Sequence, residues 1–362
     1  MTTRIQASST APVRQSSVRA HNLALVLQTV ATSENPISRA STAAATGLTR
    51  ATVSALVDDL IAGGLLTERE PAPRSGAGRP AAGLAVNPDG AFGLGLEVNV
   101  DYLAACVIDL SGAVRQRVVE HADQRLSDPQ ATLARLASLA AGDLRPAAAA
   151  LAVPGLVSGN GLVRVAPNLG WQDVDAAALL GFPVTVDNEA NLAALSELRA
   201  TGGKPSFLYV SGEIGIGAGI VLDGALYRGV RGWSGEIGHL TVDPGGRPCR
   251  CGARGCLEQY AGQEALEETS LDEAATALGI ALSGVINLLD LDTIVLGGIY
   301  GPLLPALRPG IEREVRRRVL TADLAPVTLR ASALGADAAM RGAAESVVRA
   351  VLDDPATFLS RG

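Results

Sequence analysis

The 362-residue sequence predicts an α/β body behind a small, mostly helical head. Two observations carry this expectation. From His21 to Ile61 apolar residues recur at three- and four-residue spacing, the period of helices that bury one face. After Asn87-Pro88 the chain changes to alternating strand and helix patterns, which require sheets covered by helices. A third observation bears on chemistry. Cys249, Cys251 and Cys256, three of the four cysteines, fall within eight positions, and His239, one of three histidines, lies ten residues upstream.

Residues 1–20 are polar, lack the apolar stretch of a secretory signal, and read as a disordered tail. Leu23, Val26, Leu27 and Val30 give the first helix its apolar stripe, and Asn35-Pro36 ends it. Ser38 can cap a second helix running to Thr46, with Gly47 supplying the turn. Thr49 caps a third, whose inner face is Val53, Leu56, Val57, Leu60 and Ile61. Its outer face begins with Thr49, Arg50, Thr52 and Ser54. A short helix, a glycine turn and a helix opening on small polar residues and an arginine make a helix-turn-helix, whose second helix meets the DNA major groove. A three-helix bundle without DNA contact shows the same periodicity. Leu65-Leu66-Thr67 and Leu84-Ala85-Val86 read as two strands flanking PAPRSGAGRPAAG, a wing or else a solvated linker. The winged head thus spans 21–88, with Ser38, Thr49, Arg50, Thr52, Ser54, Arg74 and Arg79 as candidate DNA contacts. Residues 1–90 hold eight arginines against six acidic residues, about +2, while the whole chain stands at −7. A mildly basic head on an acidic body agrees with that assignment without deciding it.

In the body, AFGLGLEVNVDYLAACVIDLSGAV reads as two strands around a turn, and SFLYVSGEIGIGAGIVLDGALYRG as strand, glycine turn, strand. LDTIVLGGIY is a buried strand entering a glycine turn; Thr132–Ala141 and Glu189–Arg199 are helical. Three thiolates and one imidazole, His239, Cys249, Cys251 and Cys256, form the closed four-ligand set of a structural Zn²⁺ site. An odd number of cysteines beside a histidine fits a metal better than a disulfide framework. Cys106 reads as a core residue, His21 and His121 as surface. No run of about 18 apolar residues predicts a membrane span. Reduced cysteines and the lack of a signal point to the cytoplasm.

The stretch WSGEIGHLTVDPGGRPCRCGARGCLEQYAG resembles the signature of the ROK family, which joins bacterial sugar kinases and sugar-responsive repressors. VPGLVSGNG, APNLGW, VDNEANLAAL and VLGG extend the resemblance, and VDNEANLAAL is most similar to xylose-repressor-like members. It implies an actin- or hexokinase-like pair of α/β lobes: 89–187 with 338–362 as the smaller, and 188–337 as the larger, carrying the metal loop. Planar carboxylates, amides and imidazoles take sugar hydroxyls in pairs. Asn168, Asn188, Glu189, Glu236, His239 and Glu258 are such groups and match the family's sugar-contacting positions. By the same resemblance His239 faces both metal and sugar.

The chain departs from the family's kinases in two places. Where they carry an Asp-x-Gly-Gly-Thr phosphate loop, this chain has Glu97-Val98-Asn99-Val100-Asp101, without either glycine and with an acid at each end. Where they carry Asn-Asp, it has Asn188-Glu189, and the extra methylene displaces the catalytic carboxylate by roughly 1 Å, worth about 100-fold in rate. The expectation is a repressor that is no enzyme, with no catalytic residue of its own. It binds operator DNA as a homodimer or dimer of dimers, releases it to a monosaccharide inducer, and takes no membrane partner. The alternative is an ATP-dependent sugar kinase with an N-terminal extension.

Overall fold

The computed structural model describes residues 15–69, 82–140, 146–212 and 214–360. They divide into two compact units. The first draws on residues up to Ala91, on Asp109–Ala113 and on Val348 onward; the second comprises Phe92–Ile108 and Val114–Val347.

In the first unit α1 (Gln15–Ala31) buries Leu23, Val26, Leu27 and Val30. It begins before His21, so residues 15–20 are helix rather than tail, held by an ion pair from Arg19 to Asp59. A two-residue strand, β1 (Ile37–Ser38), precedes α2 (Arg39–Thr46) and α3 (Arg50–Ala62). Both expected caps are present. Ser38 Oγ accepts from Ser41 N–H at 3.1 Å and Thr49 Oγ1 from Thr52 N–H at 3.2 Å, satisfying helix-end donors. Strands β2 (Leu66–Arg69) and β3 (Gly83–Val86) pair antiparallel, and β1 adds to β3, giving the order β1-β3-β2. Arg39 ties these parts together through Ser54 O, Asp58 and Glu68. Arg74 and Arg79, assigned to the wing, lie outside the described residues.

The second unit contains two five-stranded sheets. One is built from β4 (Phe92–Val98), β5 (Tyr102–Asp109), β6 (Val114–His121), β7 (Ala148–Val153) and, further on, β11 (Val184–Asn188). α4 (Pro129–Leu139) lies between β6 and β7; β8 (Leu156–Val157), β9 (Val163–Ala166), β10 (Trp171–Val174) and α5 (Ala176–Leu180) precede β11. The spatial order is β11-β7-β4-β5-β6, with β4, β7 and β11 parallel. α6 (Glu189–Thr201) then leads to β12 (Phe207–Gly212), β13 (Ile216–Leu222) and β14 (Ala225–Tyr227). After α7 (Glu258–Ala261), α8 (Gln263–Glu268) and α9 (Leu271–Leu289) come β15 (Thr293–Gly298), α10 (Tyr300–Arg318) and β16 (Thr328–Ala331). The second sheet runs β14-β13-β12-β15-β16, with β12, β15 and β16 parallel. Both sheets are therefore a meander extended by parallel strands on the side of its first strand.

α11 (Ala338–Asp353) and α12 (Pro355–Leu359) close the chain. Expected in the smaller lobe, residues from Val348 onward group instead with the first unit. Gln28 donates to Asp353 Oδ1 at 2.7 Å and to Leu352 O at 3.3 Å, and Leu359 lies directly over Gly63. Such contacts between distant segments leave no local sequence signal.

Each sheet has its own apolar core: Leu96, Leu103, Leu133 and Leu151 in one, Leu208, Leu278, Leu296 and Ile311 in the other. A third cluster, rich in alanine, takes Ala150 and Ala152 from the first sheet, Tyr209 and Val295 from the second, and Ala193 and Ala343 from α6 and α11. Small side chains let these helices approach each other's backbone. Among the described residues one helix, α9, is long and apolar enough to cross a membrane, with Leu278, Leu282 and Ile286 buried in the second core.

Candidate functional site

His239 ends a 3₁₀ turn (Ile237–His239) that enters the metal loop. The loop folds on itself: Val242 N–H donates to Gly255 O at 2.8 Å, Gly255 N–H to Arg247 O at 2.7 Å and Cys249 N–H to Ala253 O at 2.9 Å. Gly255 is required twice over. Its φ is +69°, and a Cβ there would collide with the backbone of Asp243. Tyr260 fastens the loop to α7, accepting from Arg247 N–H at 3.1 Å.

These bonds bring four ligand atoms within 4.8 Å of one another. Cys249 Sγ stands 3.8 Å from His239 Nδ1, and Cys251 Sγ 3.7 Å from Cys256 Sγ. Donors about 2.0–2.3 Å from one tetrahedral ion stand roughly 3.5–3.8 Å apart. The residues therefore fit a four-coordinate metal. Burial and the neighbouring thiols of Cys251 and Cys249 push Cys256 up to about 12, so a cation is what makes three adjacent thiolates tolerable. With Nδ1 toward the sulfurs, the Nε2 of His239 is left for another partner.

Glu236, Glu258 and Asn168, three of the groups expected to face a sugar, lie beside this loop with His239. Desolvation raises the Glu236 carboxyl, with His239 opposing and Glu258 adding to the rise. Desolvation likewise raises Glu258, against His239 and Arg250. Both carboxylates thus share the field of one imidazole. Asn168 sits in a tight turn after β9, where Leu169 N–H donates to Ala166 O at 3.1 Å and Gly170 N–H to Pro167 O at 3.2 Å. A Cβ on Gly215 would lie 3.0 Å from Glu258 Oε2 and 3.6 Å from Asn168 Nδ2; one on Gly217 would lie 3.3 Å from Glu189 Oε1. Gly215, just before β13, and Gly217, within it, carry no side chains and so leave these polar groups room.

Asn188 has a different place, beside Glu189 and the β11–α6 turn. Its Oδ1 accepts from Ala190 and Asn191 N–H at 2.9 and 3.2 Å, capping α6, and its Nδ2 donates to Gly155 O and Glu189 Oε2 at 3.1 and 2.8 Å. All four hydrogen-bonding capacities of the amide are committed. It aims Glu189 rather than offering a group to a ligand. Asp187 was missed by sequence reasoning. It accepts from Asn188 N–H at 2.8 Å and Asn191 Nδ2 at 3.2 Å, and pairs with Arg228 at 2.6 Å, fixing the same turn. Its position directly before Asn188 was the available signal.

In the head, Thr49 and Arg50 are exposed, and Thr52 and Ser54 half-buried. Ser38 Oγ is 2.8 Å from Ser41 Oγ and Thr49 Oγ1 2.8 Å from Thr52 Oγ1, so these hydroxyls are engaged in capping. Arg50 is the exposed cation on this turn.

The ROK family model matches residues 93–276, half of the chain. The chain belongs to the ROK family. It is similar to the xylose repressor of Bacillus spizizenii, 29% identical in an alignment of 382 positions that covers 94% of this chain and 98% of the repressor. A solved ROK family transcriptional regulator, a homologue of the E. coli MLC protein, superposes with a TM-score of 0.78 at 26% identity, covering 95% of this chain and 100% of that one. The ROK hexokinase from Thermus thermophilus superposes with a TM-score of 0.59 at 30% identity, covering 75% of this chain and 100% of its own.

The β4–β5 turn, where ROK kinases place a phosphate loop, is closed on itself. Glu97 is buried and accepts from Tyr102 Oη at 2.8 Å. Asn99 N–H donates to Tyr102 O at 2.9 Å, and Asp101 N–H to Asn99 Oδ1 at 3.2 Å. Glu97, Asn99, Tyr102, Glu189, Tyr209 and Ser211 line one narrow recess beside this turn. The two acids act differently from the sequence expectation. Asp101 pairs with Arg125 at 3.1 Å, which also pairs with Asp123 at 2.9 Å, and Glu97 is turned inward against Tyr102 rather than lying at the mouth of the turn.

Proposed function

We propose that the chain is a sugar-responsive transcriptional repressor of carbohydrate genes whose kinase activity has been lost. One observation supports the reading: Asn168, Glu236, His239 and Glu258, the groups suited to sugar hydroxyls, lie together beside the metal loop, while the turn after β4 lacks a phosphate loop's glycines and is tied to itself by Tyr102 and Glu97. A body that keeps its sugar-binding groups but lacks the glycines of a phosphate loop is suited to sensing. The winged head supplies the output, with the α3 N-terminal turn, Arg50 foremost, meeting the major groove of operator DNA, and Arg74 and Arg79 reaching the minor groove. The likeness to the xylose repressor, which runs through head and body alike, supports the same conclusion.

In this reading Zn²⁺ fills the site of His239, Cys249, Cys251 and Cys256 and holds the loop that positions His239 and Glu258. The protein acts in the cytoplasm as a homodimer or dimer of dimers, each pair of heads meeting two half-sites. A sugar releases DNA by binding the DNA-incompetent state better; equal affinity for both states would shift nothing.

The test is operator binding by the purified protein, using DNA upstream of its own gene, with and without a panel of sugars and with ATP turnover measured in parallel. Specific binding released by a sugar, without turnover, is the expected result. Sugar-dependent ATP hydrolysis without DNA binding would replace the repressor by a kinase.

A further inference from the structure

Asn168 and Glu258 face two places. Besides belonging to the sugar-facing set, they line a cavity of about 200 Å³ whose other walls come from the metal loop, through Arg247 and Arg250, and from α8, through Glu264, Ala265 and Glu268. Glu189, Glu236 and His239 take no part in this lining. The volume far exceeds what one or two structural waters occupy.

The walls are built for a neutral, hydroxyl-rich guest. Arg247 is held in place by Gln259 O at 2.8 Å, Thr269 Oγ1 at 2.9 Å and the Tyr260 ring at 5.0 Å. Arg250 pairs with Glu264 at 3.2 Å. Three carboxylates, Glu258, Glu264 and Glu268, outnumber these two guanidiniums, so a phosphate or uronate gains no net attraction. Planar acceptors and donors stand instead beside Ile214, an almost buried apolar side chain that offers a surface for the C–H face of a sugar ring. Gly215 lies where Asn168 and Glu258 converge, and a Cβ there would stand 3.0 Å from Glu258 Oε2.

We propose that this cavity is a second sugar subsite, and that the effector is a neutral disaccharide or longer oligosaccharide rather than a free aldose. Its first ring takes Glu236, His239, Glu258 and Asn168, and its second enters the cavity past Gly215. The metal loop then reads two rings at once, with His239 on the first and Arg250 on the second. This inference rests on the sugar-responsive reading above.

The full-length protein is titrated calorimetrically with xylose and glucose, with xylobiose and cellobiose, and with glucose 6-phosphate and glucuronate. One neutral disaccharide should bind at least about tenfold more tightly than its constituent monosaccharide. Ala265→Phe, which fills the cavity, should remove that advantage while leaving monosaccharide affinity unchanged, a split that general damage would not produce. Arg250→Ala should reduce it by a smaller factor. Equal affinities for one ring and two, in wild type and Ala265→Phe alike, would overturn the subsite while leaving the repressor intact. Tighter binding of either anionic sugar would overturn the neutral assignment. Binding of no saccharide at all would remove the sugar-responsive reading, and this one with it.

Discussion

Glu197 is among the most deeply buried charges in the chain, at 1% exposure on α6. It pairs with Arg330 and accepts from Ser332 Oγ at 2.9 Å and Ala333 N–H at 3.3 Å, so one carboxylate clamps α6 to the end of β16. Arg330 is 31% exposed and can turn to water, whereas the donors of Ser332 and Ala333 would lose their acceptor. Glu197→Ala is expected to cost about 1–3 kcal/mol, read from the urea midpoint. Cys106 behaves oppositely: it is buried in β5, and desolvation pushes its thiol up to about 11. It should resist alkylation at pH 8 until the protein unfolds, in contrast to a reactive, low-pKa cysteine. A third prediction concerns the metal. Cys251→Ser should lower metal content well below one ion per chain by elemental analysis; content near one would remove Cys251 from the ligand set. The four ligands were legible in the sequence because they fall within 18 positions and their chemistry is distinctive. The Glu197 clamp was not, because its partners are 133 to 136 residues away and each is an ordinary residue type.

Among the elements, helix ends were the most readable. Ser38, Gly47 and Thr49 punctuate the head where their local chemistry says they should, since a cap depends on residues two or three positions away. The start of α1 was less readable because it depends on Arg19 reaching Asp59, forty residues on. The strand β1 was missed because two residues carry no periodicity. Two substitutions separate folding from recognition in α3. Thr49→Ala should cost about 1 kcal/mol of stability through the lost cap. Arg50→Ala should weaken operator binding by about tenfold, read by fluorescence anisotropy, with melting temperature and sugar affinity unchanged. Unchanged DNA affinity in the Arg50 variant would show that α3 is not the reading helix.

At the scale of the whole molecule, the α/β class followed from alternating patterns, whereas the closed phosphate turn followed only partly. The loss of both glycines was visible in the sequence, but the tyrosine that ties the turn to itself, Tyr102, was not, because its contact to Glu97 depends on how the hairpin turns back. The two sheets have a further consequence. Strands β4, β5, β6, β7 and β11 wind in the same order as β12, β13, β14, β15 and β16, and each set runs into a helix, α6 or α11. Those helices meet through Ser196 and Arg199 on one and Glu345 on the other. The body thus repeats one strand order twice, and its two first hairpin turns are topological counterparts. They differ in chemistry: the first carries Glu97 and Asp101 and is tied back by Tyr102, the second carries Gly215 and Gly217. One topology therefore serves two ends, a turn that closes on itself and a turn that leaves space for its neighbours.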